Sequence, residues 1–254
     1  MTADEGKIYG LIGTSLSHSF SMDFFNQKFV SEGIAAQYFN FELGDIGELM
    51  TIFSEYSNLD GLNVTMPYKE KVIQFMDELD ETAALVGAVN VIKIVRGENA
   101  AVMRLVGYNT DYVAFKNSIV PLLTPEMNKA LVLGTGGASK AVTAALESLE
   151  IEVHHVSRRK AATTITYEEL TKQMIHEHKV IVNTTPLGTY PDTDACPDIP
   201  YRFITPGHLC YDLVYNPSET TFMRRSSEHG ATVKSGLEML LLQAFESYRI
   251  WTED

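Results

Sequence analysis

One nine-residue run constrains the fold of this chain more than any other: Leu131-Val-Leu-Gly-Thr-Gly-Gly-Ala-Ser139. An apolar strand stops at glycines and gives way to a helix with Ala138, Ala141, Val142, Ala145, Leu146 and Leu149 on one stripe. Gly134 permits a tight turn, and Gly136 lets the backbone approach a bound group. The free N–H groups of the helix start, at Gly137, Ala138 and Ser139, then favour an anion. A dinucleotide pyrophosphate is held in this way. Ser139 replaces the third glycine of the usual fingerprint, though a small residue still allows close packing. Taken alone, the same run also fits a glycine turn that serves only helix–strand packing.

The next strand end selects the dinucleotide. An acidic residue about 20 positions on binds the ribose 2′-hydroxyl of NAD. Here Val156-Ser-Arg-Arg-Lys160 stands in that place, and Ser157, Arg158 and Arg159 offer hydrogen bonds and planar charge to a 2′-phosphate. NADP is favoured over NAD, against the alternative of a solvated basic turn. Val182-Asn-Thr-Thr-Pro-Leu-Gly188 ends a later strand and is expected near the nicotinamide ribose, with Asn183 and Thr184 at the cofactor.

The rest of the chain alternates strands and helices. Before the boundary at Pro121–Asn128, strands are expected at 7–12, 37–42 and 59–64, with helices at 20–32 and near 45–56. Another helix is expected at 78–86, then a hairpin of 88–95 and 101–106 turning at Arg96-Gly-Glu-Asn99. A helix follows Asp111 and stops at Pro121. Beyond the boundary, strands fall at about 130–134, 151–156, 179–182, 209–213 and 231–234, with a final helix at 237–251. This is an α/β protein of two domains, a mostly parallel N-terminal one and a Rossmann-type one.

Composition excludes several partners. A net charge of −13 and pI near 5.0 argue against nucleic acid or an anionic membrane. Met239–Phe245, the most apolar run, is too short to span a bilayer. Met1–Lys7 is polar and acidic, and Cys196 and Cys210 form no framework, so a reducing cytoplasm is expected. His154-His155 and His176-x-His178, the latter at an exposed helix end, read as structural, and no metal is expected.

Gly61-Leu-Asn-Val-Thr-Met-Pro-Tyr-Lys-Glu-Lys71 is the remaining anomaly. It reads as a strand that breaks at Met66-Pro67 and restarts as a helix with Pro67 at its first position. Lys69 would then lie in a first turn, where acids rather than cations are favoured.

Polar clusters fall at other expected strand ends: Ser17-His-Ser-Phe-Ser21, Asn63–Lys69, Gly87-Ala-Val-Asn90 and Asn109-Thr-Asp111. With the Gly134–Ser139 loop and Met239-Leu-x-x-Gln-Ala244, these resemble the shikimate dehydrogenase family. Its hallmarks H-S-x-S, N-V-T-x-P-x-K, G-A-x-N, N-T-D, G-x-G-G-A-S and M-L-x-x-Q-A all occur, in order. The resemblance implies NADPH-dependent reduction of 3-dehydroshikimate to shikimate. It implies that Ser19 and Ser21 bind the substrate carboxylate and that Thr65, Asn90 and Gln243 contact ring hydroxyls. His18 would support the serine loop. Lys69 and Asp111 would form the catalytic pair, and Tyr215 would lie near substrate and nicotinamide. Val214 belongs with the cofactor contacts, and Gly236 would approach the nicotinamide carboxamide. Two departures stand out: Met22 replaces the usual proline, and Ser157-Arg158-Arg159 replaces N-R-T.

Ketone reduction needs a proton on oxygen as well as a hydride on carbon. A lysine can supply the proton while a carboxylate holds its ammonium in place. Asp111 could instead be only the N-cap of its helix. The expected division is 1–110 plus 236–254 for the substrate and 111–235 for NADP, with the site in an interdomain cleft. The expected partner is a small-molecule substrate, with no nucleic acid or membrane, in a monomer or homodimer. Competing readings are an NAD-dependent quinate/shikimate dehydrogenase and a non-catalytic shikimate- or quinate-sensing protein.

Overall fold

The computed structural model describes residues 6–17, 19–97 and 103–253. Two compact units emerge, Met1–Thr110 with Ala244–Asp254, and Asp111–Gln243. The second crossing was expected ahead of the last helix, at Gly236; it falls within that helix.

In chain order the first unit contains β1 (Lys7–Gly13), α1 (Phe20–Glu32), β2 (Ala36–Glu42), α2 (Leu49–Glu55) and β3 (Leu59–Val64). Then come β4 (Glu78–Leu79), α3 (Glu81–Val86), β5 (Val91–Arg96) and β6 (Met103–Tyr108). The sheet order is β2-β1-β3-β5-β6-β4. β1 pairs parallel with β2 and β3, whereas β5 pairs antiparallel with β3 and β6. Helix α1 begins at Ser19, whose Oγ accepts from Ser21 N, and ends at Gly33 with φ 66°. Glycine enters that left-handed region without a Cβ penalty.

Trp251 fills the space over Gly61. A Cβ on Gly61 would lie 2.2 Å from Trp251 Cδ1, so only glycine fits. The indole stacks on Tyr9 at 4.8 Å between ring centres and donates its N–H to Ile92 O at 3.1 Å. Phe25, Phe29 and Tyr38 complete this buried aromatic cluster.

Several local expectations are corrected. Lys69 lies in a turn, and the segment after it is a 3₁₀ helix, Lys71–Phe75, rather than an α-helix. Pro67 follows a cis peptide in the turn and is not a first helical residue. The dipole argument about Lys69 therefore loses its basis. The expected helix at 78–86 divides. Glu78 and Leu79 pair with β6 as Asp77 Oδ2 accepts from Leu105 N at 2.8 Å, and Asp80 then caps α3. The hairpin begins at Val91 because Val89 N and Asn90 N bond to Lys69 O and Tyr108 O. Residues 98–102, which include the second half of the expected turn at Arg96–Asn99, lie outside the described residues, as do Met1–Glu5 and His18. The helix near 45–56 opens as a 3₁₀ turn, Ile46–Glu48, capped by Asp45.

Helix α4 (Thr110–Ile119) leads into the second unit. This holds β7 (Lys129–Leu133), α5 (Gly137–Glu147), β8 (Glu152–Ser157), β9 (Thr164–Thr166), α6 (Lys172–Glu177) and β10 (Val180–Asn183). It continues through β11 (Leu209–Asp212), α7 (Thr221–Ser227), β12 (Thr232–Lys234) and into α8 (Leu237–Thr252). The all-parallel order β12-β11-β10-β7-β8-β9 reverses direction between β7 and β10. That is the doubly wound dinucleotide order, and its switch point is where such ligands bind. β9 was not foreseen; three residues, Thr-Ile-Thr, are too short to show a period. His178 is buried, not exposed: its Nδ1 lies 2.6 Å from Met174 O and its Nε2 3.0 Å from His154 Nδ1.

Candidate active site

A buried polar chain organises the first unit's predicted residues. The Ser21 side chain lies beside the phenol of Tyr38, which donates to Asn63 Oδ1 at 2.8 Å. Asn63 Nδ2 donates to Ser247 Oγ at 2.9 Å and more weakly to Asn90 O at 3.4 Å. Asn90 then holds Thr110 at two points, accepting from its N at 2.8 Å and donating to its Oγ1 at 2.9 Å. Burial keeps the Tyr38 phenol well above its usual pKa, so it remains a donor. The serine loop is pinned separately, by Leu16 N to Glu42 Oε1 at 2.6 Å and Asn40 Nδ2 to Leu16 O at 3.0 Å.

Thr65 and Lys69 sit in the turn after β3, both half-buried. Thr65 N donates to Ile12 O, and Tyr68 N closes the turn on Thr65 O, each at 3.0 Å. Lys69 O accepts from Val89 N at 2.8 Å. The segment that fixes the backbone of Lys69 is thus the one whose Asn90 fixes Thr110, and Asp111 is the next residue. Asp111 is buried as the second residue of α4, so it is not the N-cap. Asn90 Oδ1 receives the helix's first N–H instead.

In the second unit the glycine turn matches its expected use. Gly134 has φ 116°, and a Cβ there would lie 2.7 Å from Thr184 Oγ1. The strand ends flanking the switch point meet here, with Thr184 Oγ1 donating to Leu133 O at 2.7 Å. Nothing stands within 4 Å of a Cβ on Gly136, and no side chain caps α5. The N–H groups of Gly137, Ala138 and Ser139 therefore begin a helix beside open space, which suits an anion. Ser139 is buried against the sheet, as a small residue should be.

Ser157 ends β8, and Arg158 and Arg159 are exposed beyond it. Arg159 N donates to Ser157 Oγ at 3.3 Å, while Lys160 is paired with Glu169. Gly236 has a strict packing reason: a Cβ would lie 2.1 Å from Leu213 O. Tyr215 and Gln243 are half-buried, and Val214 is buried.

Sequence reasoning did not single out Asp212. It is wholly buried at the end of β11 and accepts from Asn183 Nδ2 at 2.9 Å, Val214 N at 3.0 Å and Thr220 Oγ1 at 2.6 Å. Burial pushes its carboxyl up to about 6. Asn183 is equally buried, and its Oδ1 accepts from Thr185 N and Oγ1. Its amide is thus committed to loop structure. The available signal was an acid ending the apolar run Leu209-Cys-Tyr211. Among the described residues, no group of three or more His, Cys, Asp or Glu could hold a metal ion, and no helix is long and apolar enough to cross a membrane.

Residues 11–92 match the family model for the shikimate dehydrogenase substrate binding domain. The shikimate dehydrogenase (NADP(+)) of Methanococcus maripaludis is 35% identical over 269 residues, spanning 99% of this chain and 94% of its own. The chain belongs to the shikimate dehydrogenase family. The crystal structure of shikimate dehydrogenase from Aquifex aeolicus superposes with a TM-score of 0.82 at 34% identity, covering 100% of this chain and 95% of that one. The Thermus thermophilus shikimate 5-dehydrogenase, solved in complex with NADP(H) and shikimate, gives 0.82 at 28% identity, covering 97% and 93%. In this chain the segment matched by the family model contains Ser19, Ser21, Thr65, Lys69 and Asn90.

Proposed function

We propose that this protein reduces 3-dehydroshikimate to shikimate with NADPH, reversibly, and that Lys69 and Asp111 handle the proton. The observation behind the pair is the common anchor: Val89 N holds Lys69 O, and Asn90 beside it holds Thr110, the neighbour of Asp111. When bound, the nicotinamide supplies the hydride. Lys69 stabilises the developing alkoxide and delivers the proton, and Asp111 orients its ammonium. Ser19 and Ser21 receive the substrate carboxylate. Thr65, Asn90 and Gln243 bind the ring hydroxyls, and Tyr215 lies against the reacting ring. No metal is required for this proton chemistry.

The chain's own residues fit NADP. The uncapped α5 start and the clear space at Gly136 suit a pyrophosphate. Exposed Arg158 and Arg159 suit a 2′-phosphate through planar, charge-assisted hydrogen bonds. Thr184, Val214 and Gly236 border the nicotinamide end, and Asn183 contributes by shaping its loop. Two free cysteines, Cys196 and Cys210, accord with a reducing cytoplasm, where the enzyme acts on small molecules as a monomer or homodimer.

Steady-state kinetics with shikimate and quinate, each against NADP and NAD, test the reading. The expected result is the highest kcat/KM for shikimate with NADP. A preference for quinate and NAD would favour the quinate/shikimate alternative. Binding of shikimate without turnover would instead indicate a sensing protein.

A further inference from the structure

Asp212 is held entirely by neutral donors, one at the end of β10 and two in the loop after β11, at the carboxyl edge of the second sheet. Asn183 Nδ2 fixes the side-chain amide after β10, which turns Oδ1 toward Thr185 N at 3.0 Å and Thr185 Oγ1 at 2.6 Å. Thr184, between them, forms the close approach at Gly134. Val214 N bonds to Asp212 Oδ1, and Val214 O accepts from Gly236 N at 3.1 Å ahead of α8. Thr220 Oγ1 donates to Asp212 Oδ2 and accepts from Met223 N at 3.2 Å, capping α7. The titratable groups on adjoining segments make none of these bonds. They are Cys210 and Tyr211 on β11, Tyr215 in the loop after it, Lys234 paired with Glu238 on the β12 side, exposed Glu219 before Thr220, and Arg224 on α7 paired with Glu228.

A buried carboxylate with no cationic partner is costly, and a role in packing alone would be met more cheaply by an amide or an apolar side chain. We infer that Asp212 is a positioning residue for the dinucleotide, whose ionised carboxylate holds the loops after β10 and β11 in their cofactor-binding arrangement. Protonation places an O–H among three donors, so one of them must give way and the loop it anchors is released. The carboxyl's value of about 6 puts this change inside the assayable pH range. The inference rests on the NADP reading given above.

The test is NADP affinity, measured by calorimetric titration of wild type, Asp212→Asn and Thr220→Val between pH 8 and pH 5. The 2′-phosphate of the ligand itself titrates near pH 6. The readout is therefore the ratio of variant to wild-type Kd at each pH, from which the ligand's own protonation cancels. For Asp212→Asn the ratio should be about tenfold at pH 8 and fall toward one at pH 5, where wild type has lost the same charge. Thr220→Val should show a smaller ratio with the same trend, and it makes the comparison if Asp212→Asn does not fold. Shikimate affinity should stay unchanged in both variants. A ratio of one throughout, a ratio independent of pH, or equal loss of shikimate and NADP affinity would overturn the inference. Failure of wild type to bind NADP would instead overturn the cofactor reading.

Discussion

Asn63 donates to Ser247 Oγ at 2.9 Å, joining β3 to the last turns of α8 across 184 positions of chain. The same side chain accepts from Tyr38, so one buried amide serves three elements of the first unit. Replacing it by alanine leaves the Tyr38 hydroxyl without its acceptor. Asn63→Ala should cost about 2–4 kcal/mol in chemical denaturation, and Ser247→Ala about 1 kcal/mol. Because Tyr38 lies beside Ser21, Asn63→Ala should also raise the shikimate KM. Denaturation of Asn63→Ala at the wild-type midpoint would refute this account.

Lys69→Ala should lower kcat on the order of 10²–10⁴-fold, the usual contribution of a positioned acid or base. Shikimate affinity, measured by calorimetry, should change little. Turnover near the wild-type rate would remove Lys69 from the mechanism.

Arg158→Ala should raise the KM for NADP by roughly 10–100-fold, the loss of a charge-assisted contact to phosphate. The KM for NAD, which has no 2′-phosphate, should hold steady. Parallel increases for both cofactors would mean that Arg158 does not read the 2′ position.

Gly236→Ala forces a methyl to within 2.1 Å of Leu213 O, which is backbone and cannot step aside as a side chain would. The variant should lose about 1–3 kcal/mol or more of stability. A folded, fully stable Gly236→Ala would mean that the start of α8 yields freely.

Buried groups of the second unit respond to pH with opposite signs. The carboxyl of Asp212 is raised from 3.8 to about 6, so the folded state keeps a proton that the unfolded chain has lost. Its contribution to stability therefore falls as pH rises from about 4 to about 6. Burial lowers the pKa values of His178 and His208, so their contribution is present above about 6.5 and lost as pH falls below it. Asp212→Asn removes only the first effect. The wild-type melting temperature minus that of the variant should thus be more positive at pH 5 than at pH 8. A difference that ignores pH would contradict this balance.

The parallel sheets and the glycine turn were legible because their signals are local. Buried runs such as Ala130–Leu133 and the stripe of α5 declare themselves within one element. Lys69 was found through its motif, but its conformation was misread. The turn at Met66-Pro67 and the pairing of Glu78–Leu79 with β6 depend on partners distant in sequence. Asn63 and Asp212 illustrate the same limit. Their importance lies in Ser247, Thr220 and Asn183, which no period or spacing connects to them.

The seat of Trp251 over Gly61 bears on the order in which the protein is made. The ribosome delivers β1 to β6 first, then all of Asp111–Gln243, and only afterwards the indole that stacks on Tyr9. Domains usually mature in the order of synthesis. Here the unit begun first is completed last, while the second unit already has its whole sequence. Trp251 is the chain's one tryptophan, so its emission reports the moment of that completion and nothing from the other unit.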